Sequence, residues 1–257
     1  MLELSHIEKT FHPGTVNAVT VFSDFSLTVP RGSFVSIVGS NGSGKSTLLS
    51  LISGALRQDR GSVTLGGVCL DRLPEHRRAR RIGRVFQDPA RGTVPGMTVR
   101  ENLLLAAAKG GRYDLTPARR DWSAKRFLPL LRETGLALDD KLDTPVAALS
   151  GGQRQALALL MCTENPADLL LFDEHTAALD PRTAEIMMHL TDRVVRETGV
   201  SALMVTHNLR YAVEYGDRLL MLHEGRVVFS AEGDAKAALR VEDLLDRFNA
   251  ISVECGN

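Results

Sequence analysis

The sequence predicts an α/β fold: a mainly parallel, covered sheet with a strand-rich opening region and a helical insertion. Three observations predict it. The short apolar runs "FVSIVG" (34–39), "DLLLFDE" (168–174) and "SALMVTH" (201–207) have the length of buried strands. Helical stretches such as "PRTAEIMMHLTDRVVRETG" (181–199) separate these runs, and strands alternating with helices imply parallel neighbours covered on both faces. From about 98 to 164, in contrast, good helix formers dominate between Gly and Pro breakers.

The elements follow in order. "VTVFSDFSLTV" (19–29) alternates roughly by two, as a half-buried strand does. "FVSIVG" is β-branched and leads directly into a glycine-rich loop, after which "KSTLLSLISGAL" (45–56) places Leu48, Leu49, Leu51, Ile52 and Leu56 on one broad helical face, with Gly54 near its end. "SVTLGGVCL" (62–70) has the Gly66-Gly67 turn of a hairpin. "VRENLLLAAAKG", "RRDWSAKRFLPLLRETGL" and "RQALALLMCTEN" supply the helices of the insertion. In "RLLMLHEGRVVFS" (218–230), Glu224-Gly225 suits a second hairpin turn. "AKAALRVEDLLDRF" (235–248) reads as a further amphipathic helix. The organisation expected is one domain over residues 1–230, with a helical subdomain at about 98–164, and a helical tail over 231–257.

Composition narrows the functional classes. Thirty-one basic and 31 acidic side chains cancel, so no global field favours nucleic acid or an acidic membrane surface. The hydrophobic share of 44% suits a globular core rather than a disordered chain. Cys69, Cys162 and Cys255 have neither CxxC nor ligand spacing, which favours a reducing compartment and buried or idle thiols. The opening "MLELSHIEKT" has no basic flank or apolar h-region, and the sequence has no apolar run of about 18 residues, the length a membrane span requires. A cytosolic protein is expected. "DRLPEHRRARRIGR" (71–84) concentrates Arg72, Arg77, Arg78, Arg80, Arg81 and Arg84 in a helix-like piece. It reads as a solvated face, or as a surface for lipid phosphates or an acidic partner segment.

Three segments carry chemistry. "GSNGSGKS" fits G-x-x-x-x-G-K-[ST], the P-loop pattern, with Gly39, Gly44, Lys45 and Ser46 at the fixed positions. Gly39, Ser40, Asn41, Gly42, Ser43 and Gly44 form a loop whose small residues let backbone N–H groups wrap a phosphate chain. The helix that starts there, through Thr47, adds its positive end. Lys45 supplies a point charge for the β- and γ-phosphates, and the Ser46 hydroxyl a ligand for Mg²⁺. "LLLFDE" brings Asp173 and Glu174 to the end of a buried strand, where parallel sheets bind ligands. Asp173 is the candidate for holding Mg²⁺ through water, and Glu174 the candidate general base for an attacking water. In "ALSGGQRQALALLM", Ser150, Gly151, Gly152 and Gln153 precede a helical run and present either an anion-binding helix start or a Ser-capped turn.

Leu149–Gln153, "LSGGQ", resembles the signature of the ATP-binding cassette (ABC) ATPases, and the other motifs of that family follow in order. Gln87 in "RVFQDP" resembles the Q-loop, Asp180 in "AALD" the D-loop, and His207 in "VTH" the switch histidine. Phe11 in "EKTFHPGTV" sits where the family places an adenine-stacking aromatic. The resemblance implies a RecA-like P-loop NTPase core with an antiparallel β subdomain and an inserted helical subdomain.

It also implies a homodimer in which the P-loop of one subunit and the signature of the other close on the same ATP, with Mg²⁺ as cofactor. Ser150 and Gly152 would contact the γ-phosphate across the interface, Gln87 would join the magnesium ligands and sense the phosphate, Asp180 would link the two sites, and His207 would stabilise the transferring phosphate. Paired transmembrane permease subunits are implied, and with them a peripheral place on the cytoplasmic face of the membrane. His175, Asn208 and Phe11 stand where proline, aspartate and tyrosine are commoner in the family, and none removes a group the chemistry needs. "FQDPARGT", "DEHTAALDP" and "VTHN" most resemble a bacterial subgroup that accompanies a solute-binding protein and a permease, some members being linked to tryptophan or related amino acids. Export of lipid or peptide uses the same ATPase. A soluble ABC protein acting on DNA or ribosomes would need a coiled-coil insertion, a second cassette or a basic surface, so no nucleic-acid partner is expected.

Overall fold

The computed structural model describes residues 1–109 and 120–254. Two compact units are formed, one from Met1–Arg78 with Gly199–Asn257, the other from Ala79–Thr198. The first stretch runs β1 (Leu2–Phe11), β2 (Val19–Val29), β3 (Phe34–Gly39), α1 (Lys45–Ser53), β4 (Arg60–Leu65), β5 (Val68–Cys69) and the single turn α2 (Glu75–Arg78). The second runs β6 (Ile82–Val85), α3 (Val99–Ala107), α4 (Arg120–Glu133), α5 (Gly151–Thr163), β7 (Leu169–Asp173) and α6 (Pro181–Thr198). The chain then returns to the first unit with β8 (Ser201–Val205), α7 (Leu209–Glu214), β9 (Arg218–His223), β10 (Arg226–Glu232), α8 (Gly233–Ala237) and α9 (Val241–Glu254).

In the first unit β1, β2, β4 and β5 form an antiparallel sheet in the order β2-β1-β4-β5. Its hairpin closes at Gly66-Gly67, both at positive φ (58° and 77°), as a two-residue turn requires. The second sheet of this unit runs β10-β9-β3-β8, with β3 parallel to both β8 and β9. All six residues of β3 are buried, which is why its sequence does not alternate between apolar and exposed polar positions; its one polar side chain, Ser36, donates to the Tyr215 carbonyl at 2.9 Å. Val38 of β3, Ala212 of α7, and Leu219 and Met221 of β9 cluster with Leu244 of α9.

In the second unit β6 and β7 pair in parallel, with Val85 opposite Phe172. α3 begins on a capping box: the Thr98 hydroxyl accepts from the Glu101 N–H at 3.2 Å, and the Glu101 carboxylate accepts from the Thr98 N–H at 2.7 Å. α6 is amphipathic and buries Ala184, Met187, Met188, Leu190, Thr191 and Val195. Among the described residues no helix is long and apolar enough to cross a membrane.

Three expectations are corrected. Leu56 is not on the helical face with Leu48–Ile52, because α1 stops at Ser53 and Gly54 takes the left-handed conformation (φ 86°), its N–H bonding to the Ser50 carbonyl. The 235–248 segment is not one helix. The Lys236 ammonium is buried on the Val213 carbonyl at the end of α8, and a new helix, α9, starts after Arg240, whose N–H donates to Asp243 at 2.8 Å. The arginine run is not a uniform solvated face either. Arg72, Arg77 and Arg80 are exposed, but Arg78 is 1% exposed, and its guanidinium donates to the Leu51 and Ile52 carbonyls (2.8 and 3.1 Å) and to Leu73 (3.1 Å). Arg81 and Arg84 pair with Asp168 and Asp173 at 2.6 and 2.8 Å. Cys69 is exposed, Cys162 is half-buried with its thiol on the Arg84 carbonyl (3.3 Å), and Cys255 lies outside the described residues.

Candidate functional site

The predicted site residues divide between the two units. The first holds Phe11, the P-loop and His207; the second holds Gln87, the 150–153 segment, Asp173, Glu174 and Asp180.

In the first unit, β3 and β8 run in parallel with Ile37 opposite Val205, and Thr206 N–H donates to the Ile37 carbonyl at 3.1 Å. The P-loop after β3 and His207 after β8 therefore leave the sheet from the same edge, at the carboxyl ends of the strands. The loop itself is tightly built. Gly44 stands at the start of α1 in the left-handed region (φ 101°), and a Cβ there would meet the Phe22 ring at 2.8 Å. A Cβ on Gly39 would lie 2.2 Å from the Leu222 carbonyl oxygen and 2.8 Å from Ser43 Oγ. Lys45 is 6% exposed, and its ammonium donates to the Gly39 and Ser40 carbonyls, both at 2.8 Å, bridging the loop from within.

Ser43 Oγ is buried and has no hydrogen-bond partner. An orphaned hydroxyl inside a loop of glycines is an anomaly in a folded protein, and a phosphate oxygen would resolve it. Asn41, Gly42 and Ser46 are exposed around it, and Thr47 is partly so. Phe11 ends β1, half-buried, with the Lys9 ammonium 5.7 Å from its ring. Asn208, where aspartate is commoner, caps α7 by accepting from the Tyr211 N–H at 3.3 Å.

In the second unit the same logic applies to β6 and β7. Gln87, exposed, follows β6, and Asp173 and Glu174 emerge from β7, so all three leave one sheet edge. Glu174 takes a left-handed backbone (φ 49°), uncommon for a residue with a Cβ and characteristic of strained functional positions. His175, next to it, is 2% exposed, stacks on Phe172 (5.0 Å between centroids), and its Nε2 lies 3.0 Å from the Thr191 hydroxyl of α6. Burial pushes the His175 imidazole down to a pKa of about 4, so it is neutral at physiological pH. Asp173 accepts a hydrogen bond from Arg84 Nη2 at 2.8 Å, and both side chains are mostly buried.

The signature segment forms the start of α5. Ser150 and Gln153 make a reciprocal capping box, Ser150 Oγ accepting from the Gln153 N–H (3.3 Å) and Gln153 Oε1 accepting from the Ser150 N–H (3.2 Å). Gln153 is further engaged by Lys141 (2.9 Å) and the Leu136 carbonyl (2.9 Å), so its amide is occupied within the chain, whereas Ser150 and Gly151 are exposed. Gly152 is buried, and a Cβ there would fall 2.2 Å from the Thr183 methyl, which makes glycine the residue that lets α5 and α6 approach. Asp180 caps α6, accepting from the Thr183 N–H at 3.0 Å, and hydrogen bonds from Thr183 hold its carboxyl below the usual range.

Sequence reasoning recognised the acidic pair but not its neighbours. In the sequence Arg84 reads as one more member of the arginine-rich segment 71–84. Its position on β6, three residues before Gln87, is the signal that could have set it apart.

A family model for the ABC transporter domain matches residues 22–177, more than half of the chain. A tyrosine transport ATP-binding protein from Clostridioides difficile (strain R20291) is 46% identical over 248 residues, covering 96% of this chain and 98% of that protein. The lipoprotein-releasing system ATP-binding protein LolD 1 of Caulobacter vibrioides is 38% identical, covering 88% and 94%. A solved dimeric ATP-binding cassette in a post-hydrolysis state with ADP and Pi is 29% identical and superposes with a TM-score of 0.78, over 90% of this chain and 98% of that one. A glycine-rich loop of the P-loop pattern at an α/β sheet edge places the chain in the class of P-loop ATPases. Within it, the chain belongs to the ABC transporter family as an ATP-binding, ATP-hydrolysing subunit.

Proposed function

We propose that this chain powers an importer of amino acids or similar small solutes, as a homodimer of ATPase subunits bound to transmembrane permease subunits. The observation that carries the reading is the P-loop in which Ser43 Oγ is buried without a partner and Lys45 spans the loop, beside 46% identity over nearly the whole length of a tyrosine transport ATP-binding protein. Gly39–Thr47 grips the phosphates, Phe11 stacks on the base, and the Ser150–Gln153 segment of a second copy completes the site. In that segment Ser150 and the backbone N–H groups of Gly151 and Gly152 face the nucleotide, while Gln153 holds the turn in shape. Glu174 takes the proton of the attacking water, His207 stabilises the transferring phosphoryl group, Gln87 reports its presence, and Asp180 joins the two sites.

The donor set of Ser46, Gln87 and Asp173 is all oxygen, the hard-ligand chemistry that Mg²⁺ prefers, with Asp173 acting through water. When bound, Mg²⁺ would neutralise developing negative charge on the phosphates. The helical region at about 98–164 acts as the subdomain that passes closure to the permease, with 1–230 as the ATPase domain and 231–257 as its tail. A solute-binding protein completes the importer outside the membrane, and the ATPase sits peripherally on the cytoplasmic face. The dimeric cassette among the solved neighbours and the import and transport proteins among the relatives support these assignments.

Purified protein with its permease should hydrolyse MgATP and drive uptake of radiolabelled tyrosine or tryptophan into proteoliposomes that hold the complex. Glu174→Gln should bind ATP with unchanged affinity while turnover falls at least a hundredfold. Unchanged turnover would refute the base assignment. A second reading, release or export of lipid, is favoured by the 38% identity to a lipoprotein-releasing ATPase. ATP-dependent lipid release without solute uptake in the same proteoliposomes would select it.

A further inference from the structure

The side chains around Asp173 contain a cation that the P-loop chemistry does not explain. Arg84 Nη2 lies 2.8 Å from Asp173 Oδ2, and the two side chains are only 10% and 15% exposed. The same guanidinium lies over the Phe86 ring, 4.8 Å from its centroid, and Arg91 covers that ring too at 4.5 Å. Phe86 is the residue before Gln87, and its carbonyl is fixed by Gln155 Nε2 at 2.9 Å. The Arg84 backbone is pinned in β6, its carbonyl accepting from the Cys162 thiol at 3.3 Å. One arginine thus touches the carboxylate at the end of β7 and the ring at the root of the Gln87 loop.

A largely buried ion pair contributes little net stability compared with apolar packing of the same volume, so stability alone is a weak reason for this one. Its electrostatic consequence at Asp173 is larger. A guanidinium in hydrogen-bond contact neutralises the carboxylate in the absence of metal and opposes the approach of a second cation. It also fixes the carboxylate in one rotamer.

We propose that Arg84 is a positioning residue for the hydrolytic site: it orients Asp173, sets the divalent-cation requirement, and couples Asp173 to Phe86 at the root of the loop that carries Gln87. The proposal rests on Asp173 serving the metal. As Mg²⁺ or Mn²⁺ takes up the charge of Asp173, the Arg84–Asp173 bond weakens and the guanidinium shifts its partnership toward Phe86. Metal occupancy is thereby transmitted to the residue beside Gln87.

The test is a Mn²⁺ titration, followed by the loss of the free-ion paramagnetic resonance signal, of full-length protein holding a non-hydrolysable ATP analogue. Hydrolysis at varied Mg²⁺ is measured in parallel. Arg84→Met should bind Mn²⁺ on the order of tenfold more tightly because the opposing charge is gone. Its maximal hydrolysis should nonetheless fall several-fold, because Asp173 is no longer oriented. Arg84→Lys should restore the weaker, wild-type Mn²⁺ affinity but not full hydrolysis, since an ammonium supplies the charge without the planar stack on Phe86. Asp173→Asn should weaken Mn²⁺ binding in every background. Unaltered Mn²⁺ affinity in folded Arg84→Met, with Asp173→Asn still weakening it, would overturn the role of Arg84 alone. Unaltered affinity in Asp173→Asn would overturn the metal assignment beneath it. If Arg84→Met does not fold, Arg84→Lys decides: Mn²⁺ affinity far from that of the parent protein refutes charge as the cause.

Discussion

His175 Nε2 and Thr191 Oγ1 lie 3.0 Å apart in the interior of the second unit, tying the residue after Glu174 to the middle of α6. Glu174 holds a left-handed backbone that the chain alone would not choose, and such a conformation persists only where its neighbours over-determine it. Asp173 anchors it on one side through Arg84, His175 on the other through Phe172 and Thr191. The commoner proline of the family would stiffen the backbone at this place by its ring. Here a buried, neutral imidazole does it by a hydrogen bond.

Thr191→Val keeps the shape of the side chain but leaves the buried imidazole nitrogen without its partner. The expected loss is about 1–3 kcal/mol of stability, with turnover reduced more than ATP affinity, because the disturbance falls next to Glu174 rather than at the P-loop. Denaturant melts and steady-state hydrolysis measure the two effects. The pH dependence has a definite sign. His175 falls from an ordinary pKa of 6.5 to about 4 on folding, so above 6.5 both states are neutral and it contributes no slope. Below 6.5 the unfolded chain takes up a proton that the folded one refuses, and stability drops by about 3 kcal/mol as pH falls toward 4. His175→Gln should flatten that part of the curve; an unaltered slope would place its origin elsewhere.

Ser43 gives the opposite pattern to most buried polar residues. Its hydroxyl has no partner within the chain, so Ser43→Ala removes an unsatisfied group and should leave the melting temperature equal or higher, by up to about 1 kcal/mol in stability. ATP affinity should fall three- to tenfold, corresponding to about 1 kcal/mol for one lost hydrogen bond. Thermal melts without nucleotide, paired with an ATP titration, separate the two effects. A destabilised variant with unchanged ATP affinity would show that the hydroxyl serves the fold instead. Gly39→Ala is the contrasting case, since its Cβ would sit 2.2 Å from the Leu222 oxygen and distort the loop whether or not nucleotide is present.

The parts of this molecule legible in the sequence are those where one local rule decides. β3 reads as a strand because it is a short, largely apolar, β-branched run, and the P-loop reads as an anion cradle because its glycines sit between that strand and a helical pattern. Gly54 and the two hairpin turns follow from positive-φ chemistry alone. What stayed hidden depends on partners far apart in the chain. Arg84 and Asp173 are 89 residues apart, and in sequence Arg84 is merely one of six nearby arginines. The division of 235–248 into two helices goes with a buried lysine on the Val213 carbonyl and an Asp243 cap on the Arg240 N–H, contacts no periodicity reveals. The capping work of Gln153 and Asp180 was hidden for another reason: both sit in motifs whose family role points outward, while their hydrogen bonds here run inward.

The arginine run gives a last prediction, because proximity in sequence separates into unlike physical roles. Arg78 is fully desolvated, which lowers its pKa without removing its charge, and its three hydrogen bonds end on carbonyls of Leu51, Ile52 and Leu73. Two of these lie in the last turn of α1, where carbonyls lack helical partners and the macrodipole favours a cation. Gly54 makes room for it, since a Cβ there would stand 2.8 Å from Arg78 Cδ. Arg78→Met fills the space but leaves those carbonyls unpaired, and should destabilise the protein by about 2–4 kcal/mol. Arg78→Lys should recover only part of that, because one ammonium cannot reach carbonyls on both sides of a planar fork. Arg72→Gln, Arg77→Gln and Arg80→Gln, all at exposed positions, should each stay within about 0.5 kcal/mol of the parent. Denaturant melts of the set decide the matter: equal, small effects at Arg78 and its exposed neighbours would return the whole segment to the solvated face first read from the sequence.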